Sequence, residues 1–331
     1  MPYDGKIVRR ALRRFEEDRR DREDRALDRR EAVFQRQPRL REIDAELRAT
    51  MGRILSTALR KGTDPRAAVE ALKKQNLGLQ EERRLLLENL GLPADCLEEK
   101  PACPLCADTG WRDGRMCRCL KAYCAREQQK ELSRMLNLGS QSFETFSLEW
   151  YDQAEDPALG VSPRENMDWI LRTCKRYAAG FGPGSGNLLL TGAPGLGKTF
   201  LSAAIAREVS GEGFSVVYDT AAHIFDRFEA RKFGREAGEA VEADVDRVLD
   251  CDLLILDDLG TEMTTPFVQS ALYTIVNTRV TDRRASILST NLDLKELARR
   301  YSPQIVSRLE GEYQVLPFFG EDIRRLKKER G

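Results

Sequence analysis

Apolar residues recur along this chain with two different rhythms. As far as residue 90 they fall three and four apart: Ile7, Ala11, Leu12 and Phe15 share one helical face, and Leu40, Ile43, Leu47, Met51, Ile54 and Ala58 repeat the pattern. That period belongs to an amphipathic helix and predicts helix over residues 6–61. Gly62 ends the run, and Asp64 with Pro65 restarts it as an N-cap and first-turn proline would. Val69, Leu72, Leu79, Leu86 and Leu90 then carry a second helix to Gly91 and Pro93. Two helices joined by so short a turn predict an antiparallel hairpin, which either packs on itself in solvent or presents a face to a partner. Residues 16–31 are so densely charged that disorder competes with helix there.

From residue 164 the rhythm changes. Short apolar runs at 187–191, 215–219, 253–257, 286–290 and 313–317 read as strands, with helical patterns between them. Alternation of this kind predicts an α/β fold, a mostly parallel sheet between layers of helices. The expected organisation is a charged helical region over 1–95, a cysteine module over 96–125, a linker helix and loop over 126–163, and an α/β domain over 164–331.

Composition narrows the field. The 331 residues exceed one average domain, and 54 basic residues balance 54 acidic ones. With no net charge, nucleic-acid affinity has to come from a local patch. The opening MPYDGKIVRR lacks the apolar core of a secretory signal, and no run of eighteen apolar residues occurs. A soluble, cytoplasmic protein without membrane engagement is expected. Eight cysteines are present, and in a reducing compartment clustered cysteines favour metal over disulfide. Cys103, Cys106, Cys117 and Cys119 are spaced as C-x2-C and C-x-C around Asp-Gly turns, which suits four thiolates closing on Zn²⁺. Such a site has no open coordination position, so it is expected to staple a module or present a loop rather than to catalyse.

The sharpest chemical signal is NLLLTGAPGLGKTF. Gly192, Ala193, Pro194, Gly195, Leu196, Gly197, Lys198 and Thr199, followed by Phe200, fit G-x-x-x-x-G-K-[ST] between an apolar strand and a small-residue helix. Glycines let the backbone N–H groups close on phosphate oxygens, and the helix start adds its dipole. Lys198 is expected at the outer phosphates and the Thr199 hydroxyl at Mg²⁺, with ATP as the ligand. In CDLLILDDLG, Asp257 is placed to hold the Mg²⁺ shell through water, and Asp258 to polarise an attacking water. Asn291, in Ser289-Thr290-Asn291 after the next strand, can orient that water.

In combination these motifs resemble the AAA+ ATPases, and within them the DnaC/DnaI-type replicative helicase loaders with their IstB-like relatives. NLLLTGAPGLGKTFLSAAIA, DLLILDDLG, ILSTNL and IVSRLEG follow one another as that family's motifs do, and SFETFSLEWY resembles the aromatic segment ahead of its ATPase core. The resemblance covers about 165–325 well, and over the first ninety residues extends only to helical, charged character. It implies that Asn291 is a sensor, that Arg308 in SRLEG is an arginine finger acting on a neighbouring subunit's nucleotide, and that Arg324 contacts nucleotide. It implies a hexameric replicative helicase and single-stranded DNA as partners, with self-association through the trans arginine. Asp258 stands where many members carry Glu, and its shorter reach would slow hydrolysis, as suits a switch. About a dozen residues follow Phe319, too few for the helical lid of larger AAA+ proteins.

Residues 223–235, HIFDRFEARKFGR, interleave Phe225, Phe228 and Phe233 with Arg227, Arg231, Lys232 and Arg235. They suit either a single-strand path or an ordinary amphipathic helix, and the acidic residues from Glu236 to Asp246 oppose DNA. Three functions stay open: a helicase loader, an IstB-like transposition helper, and an adaptor whose nucleotide hardly turns over.

Overall fold

A computed structural model describes residues 3–58, 66–98, 100–135, 141–234 and 239–330. The chain divides into two compact units, Arg14–Arg112 and a second made of Met1–Arg13 with Asp113–Gly331. The expected turn at Gly62, Asp64 and Pro65 lies outside the described residues.

The first unit is helical. Helix α1 (Gly5–Arg36) enters it at residue 14, followed by α2 (Pro38–Ala58) and α3 (Arg66–Asn89). The single helix expected over 6–61 is two. Pro38 has no N–H to donate and disfavours helical backbone at Gln37, so the chain breaks and turns back there. The reversal pairs Arg30 with Asp44 and Arg41 with Glu31. Arg39 Nε then donates to Glu82 at 2.8 Å, joining the start of α2 to the later part of α3. Phe34, Leu40, Leu87 and Leu97 are buried together in a small core. The charged stretch 16–31 is helix, not disordered: spacing of three to four turns its charges into local partners, with Arg19 3.3 Å from Glu23 and Arg25 Nε donating to the Asp21 carbonyl at 2.9 Å.

A two-residue hairpin, β1 (Trp111–Arg112) and β2 (Arg115–Met116), precedes α4 (Arg118–Met135). In the second unit a short 3₁₀ turn (Leu148–Trp150) leads to α5 (Pro163–Ala179), which is opened by a capping box between Ser162 and Glu165. Next come β3 (Asn187–Thr191), α6 (Lys198–Gly211), β4 (Val216–Thr220), α7 (Ala221–Phe233), α8 (Glu239–Asp250) and β5 (Leu253–Leu259). The unit finishes with α9 (Pro266–Thr281), β6 (Ala285–Thr290), α10 (Leu294–Arg300), α11 (Pro303–Glu312), β7 (Tyr313–Pro317) and α12 (Ile323–Arg330).

The five long strands form one parallel sheet in the order β4-β5-β6-β3-β7. Leu188, Leu190, Ile255 and Ile287 point to a face covered by α5 and α6, while Leu189, Leu254, Leu256 and Leu288 point to the face under α7, α9 and α11. Burial on both faces explains strands that read as unbroken apolar runs. The phosphate-loop sequence follows β3, whose neighbours are β6 and β7, at the carboxyl edge where open α/β sheets bind ligands. Residues 3–13 complete this unit: Tyr3, Ile7, Val8 and Ala11 are buried with Cys124, and Asp4 pairs with Arg247.

Candidate functional site

At the end of β3 the backbone adopts a shape only glycine tolerates. Gly192 has φ +128°, and a Cβ there would lie 2.0 Å from the Phe318 carbonyl oxygen. Gly195 (φ +79°) faces the Asp322 carboxylate, and Gly197 (φ +94°) begins α6 beside the Tyr151 hydroxyl. Leu196 plugs into the core, and its carbonyl accepts from Tyr151 at 2.9 Å. Two backbone bonds brace the loop from the far end of the chain: Phe318 N–H to the Thr191 carbonyl (2.7 Å) and Ile323 N–H to the Gly195 carbonyl (3.1 Å).

Lys198 is 5% exposed, and its Nζ donates to the carbonyls of Gly192 (2.5 Å) and Ala193 (2.8 Å) and to Asn291 Oδ1 (2.8 Å). Burial pulls its pKa down to about 8, against the opposing pull of Asp258 and Asp257; Arg324 adds to the lowering. The loop lysine and the residue after β6 are thus in direct contact.

The acidic pair divides its labour. Asp257 is buried and bonded at both oxygens, by Tyr218 Oη at 2.7 Å on one and by Ser289 Oγ and the Asp258 N–H on the other. With its oxygens so engaged, it fits a hold on a cation relayed through water. Asp258 takes positive φ (+55°) where the β5–β6 register breaks between Leu256 and Leu259, and this irregularity turns it into the cleft. Burial, and then the charge of Asp257, raises its carboxyl above the ordinary range.

A cleft of ≈ 340 Å³ gathers these groups: Pro194, Gly195, Gly197, Lys198, Thr199, Phe200, Asp258 and Asn291 all line it. Phe146, Trp150 and Tyr151 also line it, with Phe146 and Tyr151 beside Gly197 and Phe146 edge-on to Phe200 at 5.4 Å between centroids. Arg324 and Lys327 enter from α12, and Lys327 lies over Trp150 at 5.4 Å. A glycine cradle with no room for Cβ atoms, a buried lysine and aromatic side chains fit a nucleoside triphosphate. Sequence reasoning named Arg324 and the aromatic segment but missed Tyr218, Lys327 and Gln141. Tyr218 sits within a strand that reads only as core, and nothing in the local pattern signals its reach to Asp257.

Arg308 stands outside this cleft, on α11, with its guanidinium 5.9 Å from the Tyr273 ring centroid. In segment 223–235, Phe225 is core and Phe228 packs on it, while Arg227 pairs with Asp219 and Arg231 lies 3.6 Å from Asp246. Phe233 is 61% exposed, against Phe267 at 5.4 Å and beside Lys232. Arg235 and Glu236 are outside the described residues.

Cys103, Cys106, Cys117 and Cys119 converge with their sulfurs within 4.8 Å of one another. Positive φ at Ala107, Asp108, Gly110, Asp113 and Gly114 turns the chain between them, and Asp108 accepts from the N–H groups of Ala102 and Cys103. Four thiols at this spacing fit tetrahedral Zn²⁺. Among the described residues no helix is long and apolar enough to cross a membrane.

Residues 172–329 match the family model described as IstB-like ATP binding protein. Over 155 residues the chain is 25% identical to the replicative helicase loader DnaC of Escherichia coli (strain K12), covering 47% of this chain and 62% of that protein. It is 28% identical over 145 residues to the uncharacterized protein YdaV of the same organism, covering 44% of this chain and 57% of that one. The chain therefore spans less than two thirds of either relative. Among solved structures, the DnaC helicase loader aligns with a TM-score of 0.46 at 20% identity, over 55% of this chain and 99% of that one. DnaI aligns with a TM-score of 0.46 at 22% identity, over 60% and 100%.

Proposed function

We propose that this protein is an ATP-switched loader of a ring-shaped replicative helicase onto single-stranded DNA. The observation that carries the nucleotide switch is Lys198, buried among its own loop carbonyls and bonded to Asn291 across from Asp258. A lysine so placed neutralises the outer phosphates, and Asn291 couples that event to the end of β6. A bound Mg²⁺, held by Thr199 and through water by Asp257, would offset the phosphate charge. Asp258, its carboxyl raised by burial, takes the proton of the attacking water. Arg308, outside its own cleft, acts on a neighbouring copy, which makes turnover depend on assembly.

Loading rests on the likeness to the helicase loader DnaC and on the helical unit. Leu27, Leu77 and Leu85 are exposed there on α1 and α3, apolar side chains available to a partner. The cysteine cluster, holding zinc, would stiffen the docking region. The exposed Phe233 with Lys232 suits stacking on single-stranded bases. A second reading, a transposition helper, is favoured by the match to the IstB-like family model.

Co-purification of the full chain with a hexameric helicase, dependent on ATP and lost in Lys198→Ala, tests the loader reading. A stable complex with a transposase and none with the helicase would replace it by the second. Absence of stimulated turnover with DNA and partner present would leave only an adaptor.

A further inference from the structure

Strand β5 carries one residue more than its neighbour β6 can match. Leu254 and Leu256 belong to the core under α7, α9 and α11, and Leu259 joins them there. Successive strand residues alternate faces, so an uninterrupted β5 would send Asp258 into that apolar core and Leu259 to the other side. The pairing with β6 shows how this is avoided. Leu256 faces Leu288 and Leu259 faces Thr290, which leaves Asp257 and Asp258 together opposite the single residue Ser289. That count is a β-bulge. Leu259 regains the core, and Asp258 is released into the cleft at φ +55°.

The residue opposite the bulge has a side chain suited to holding it. Ser289 is fully buried, and its Oγ donates to Asp257 Oδ1 while accepting from the Asp258 N–H at 3.1 Å. The same N–H reaches Asp257 Oδ1 at 3.1 Å, so hydroxyl, carboxylate and amide close on one another. Thr290 Oγ1 then donates to the Leu259 carbonyl at 2.6 Å and fastens the exit from the bulge. A bulge leaves its extra residue outside the regular ladder, and a buried N–H there needs an acceptor from elsewhere. Ser289 is not among the residues lining the cleft, so what it governs is where Asp258 stands.

We propose that Ser289 is a positioning residue for ATP turnover, its hydroxyl setting the bulge that aims Asp258 at the attacking water. This rests on the hydrolytic reading above and assigns the aim of Asp258 to a side chain on the neighbouring strand.

The first test is hydrogen exchange on the nucleotide-free full chain, followed residue by residue by NMR. The Asp258 amide is expected to be protected, and to exchange about tenfold faster in Ser289→Ala while the Leu254 and Leu256 amides keep their rates. Equal acceleration of all three would show a general loosening of the sheet and overturn the proposal. So would an unprotected Asp258 amide in the unaltered chain, a result that needs no variant to fold. The second test is steady-state hydrolysis, where Ser289→Ala should lower kcat about tenfold or more and leave KM for ATP within about twofold. Combining Ser289→Ala with Asp258→Asn is expected to lower turnover no further than Asp258→Asn alone, because the serine acts through that carboxylate. Multiplied losses, or an unchanged kcat in Ser289→Ala, overturn the proposal and leave the ATPase reading in place. No turnover by the unaltered chain, with DNA and partner present, overturns the ATPase reading and the proposal with it.

Discussion

Lys198 sets the pH behaviour of the site. Its pKa of about 8 reflects desolvation, and a triphosphate against the ammonium would raise it. Binding should then take up a proton between about pH 8 and the ordinary lysine range. Nucleotide affinity is expected to be level below about pH 8 and to fall by up to about tenfold per pH unit above it. Titrations in buffers of different ionisation enthalpy measure that proton uptake directly; heats independent of buffer at pH 9 would contradict it. At Asp258 the expectation is a split. Asp258→Asn should keep ATP affinity within about twofold and lower turnover by about a hundredfold or more, read by steady-state hydrolysis. That the phosphate loop, Asp258 and Asn291 meet in one cleft was legible in the sequence, because each follows an apolar run that reads as a parallel strand and so reaches the same edge of the sheet. Tyr218 and Gln141 were not, since their partners Asp257 and the cleft are assembled by tertiary contact, which no local pattern encodes.

Among elements, strands were legible almost to the residue because their apolar runs are bounded by glycine, aspartate and proline. β5 is the informative difference. The apolar pattern ended it at Asp257, but the strand continues to Leu259 through the register break that aims Asp258. Pro38 was legible in principle, and the uninterrupted helical periodicity on both sides of it concealed the break between α1 and α2. The packing between the phosphate loop and the segment after β7 gives an element-level prediction. Gly192→Ala would push a methyl group into the Phe318 carbonyl at a φ of +128°. It is expected to destabilise the chain by about 2 kcal/mol or more, read as a lower urea midpoint. An unchanged midpoint would show that the C-terminal segment yields easily.

At the scale of the whole molecule, the loader reading makes two demands. One zinc per chain should be found by metal analysis and lost in the double variant Cys103→Ser, Cys106→Ser, since a four-thiolate shell does not survive the removal of half its ligands. Assembly should be visible in complementation. Arg308→Ala and Lys198→Ala chains, each inactive alone, are expected to recover turnover when mixed, because one retains a working nucleotide site and the other a working arginine. No recovery at any mixing ratio would confine Arg308 to its own chain. The grouping of residues 1–13 with the α/β unit was hidden in the sequence, because α1 is one continuous helix whose pattern carries no mark where it leaves that unit.

The brace on the phosphate loop has a consequence for biosynthesis. Gly192 and Gly195 leave the ribosome long before Phe318 and Ile323, whose amides fasten the backbone around them. A chain that stops short of β7 would lack both of these amides and the strand that sits beside β3. Such a fragment would carry the complete glycine-and-lysine signature without the bonds that fasten it, and it is expected to hold nucleotide more weakly than the full chain.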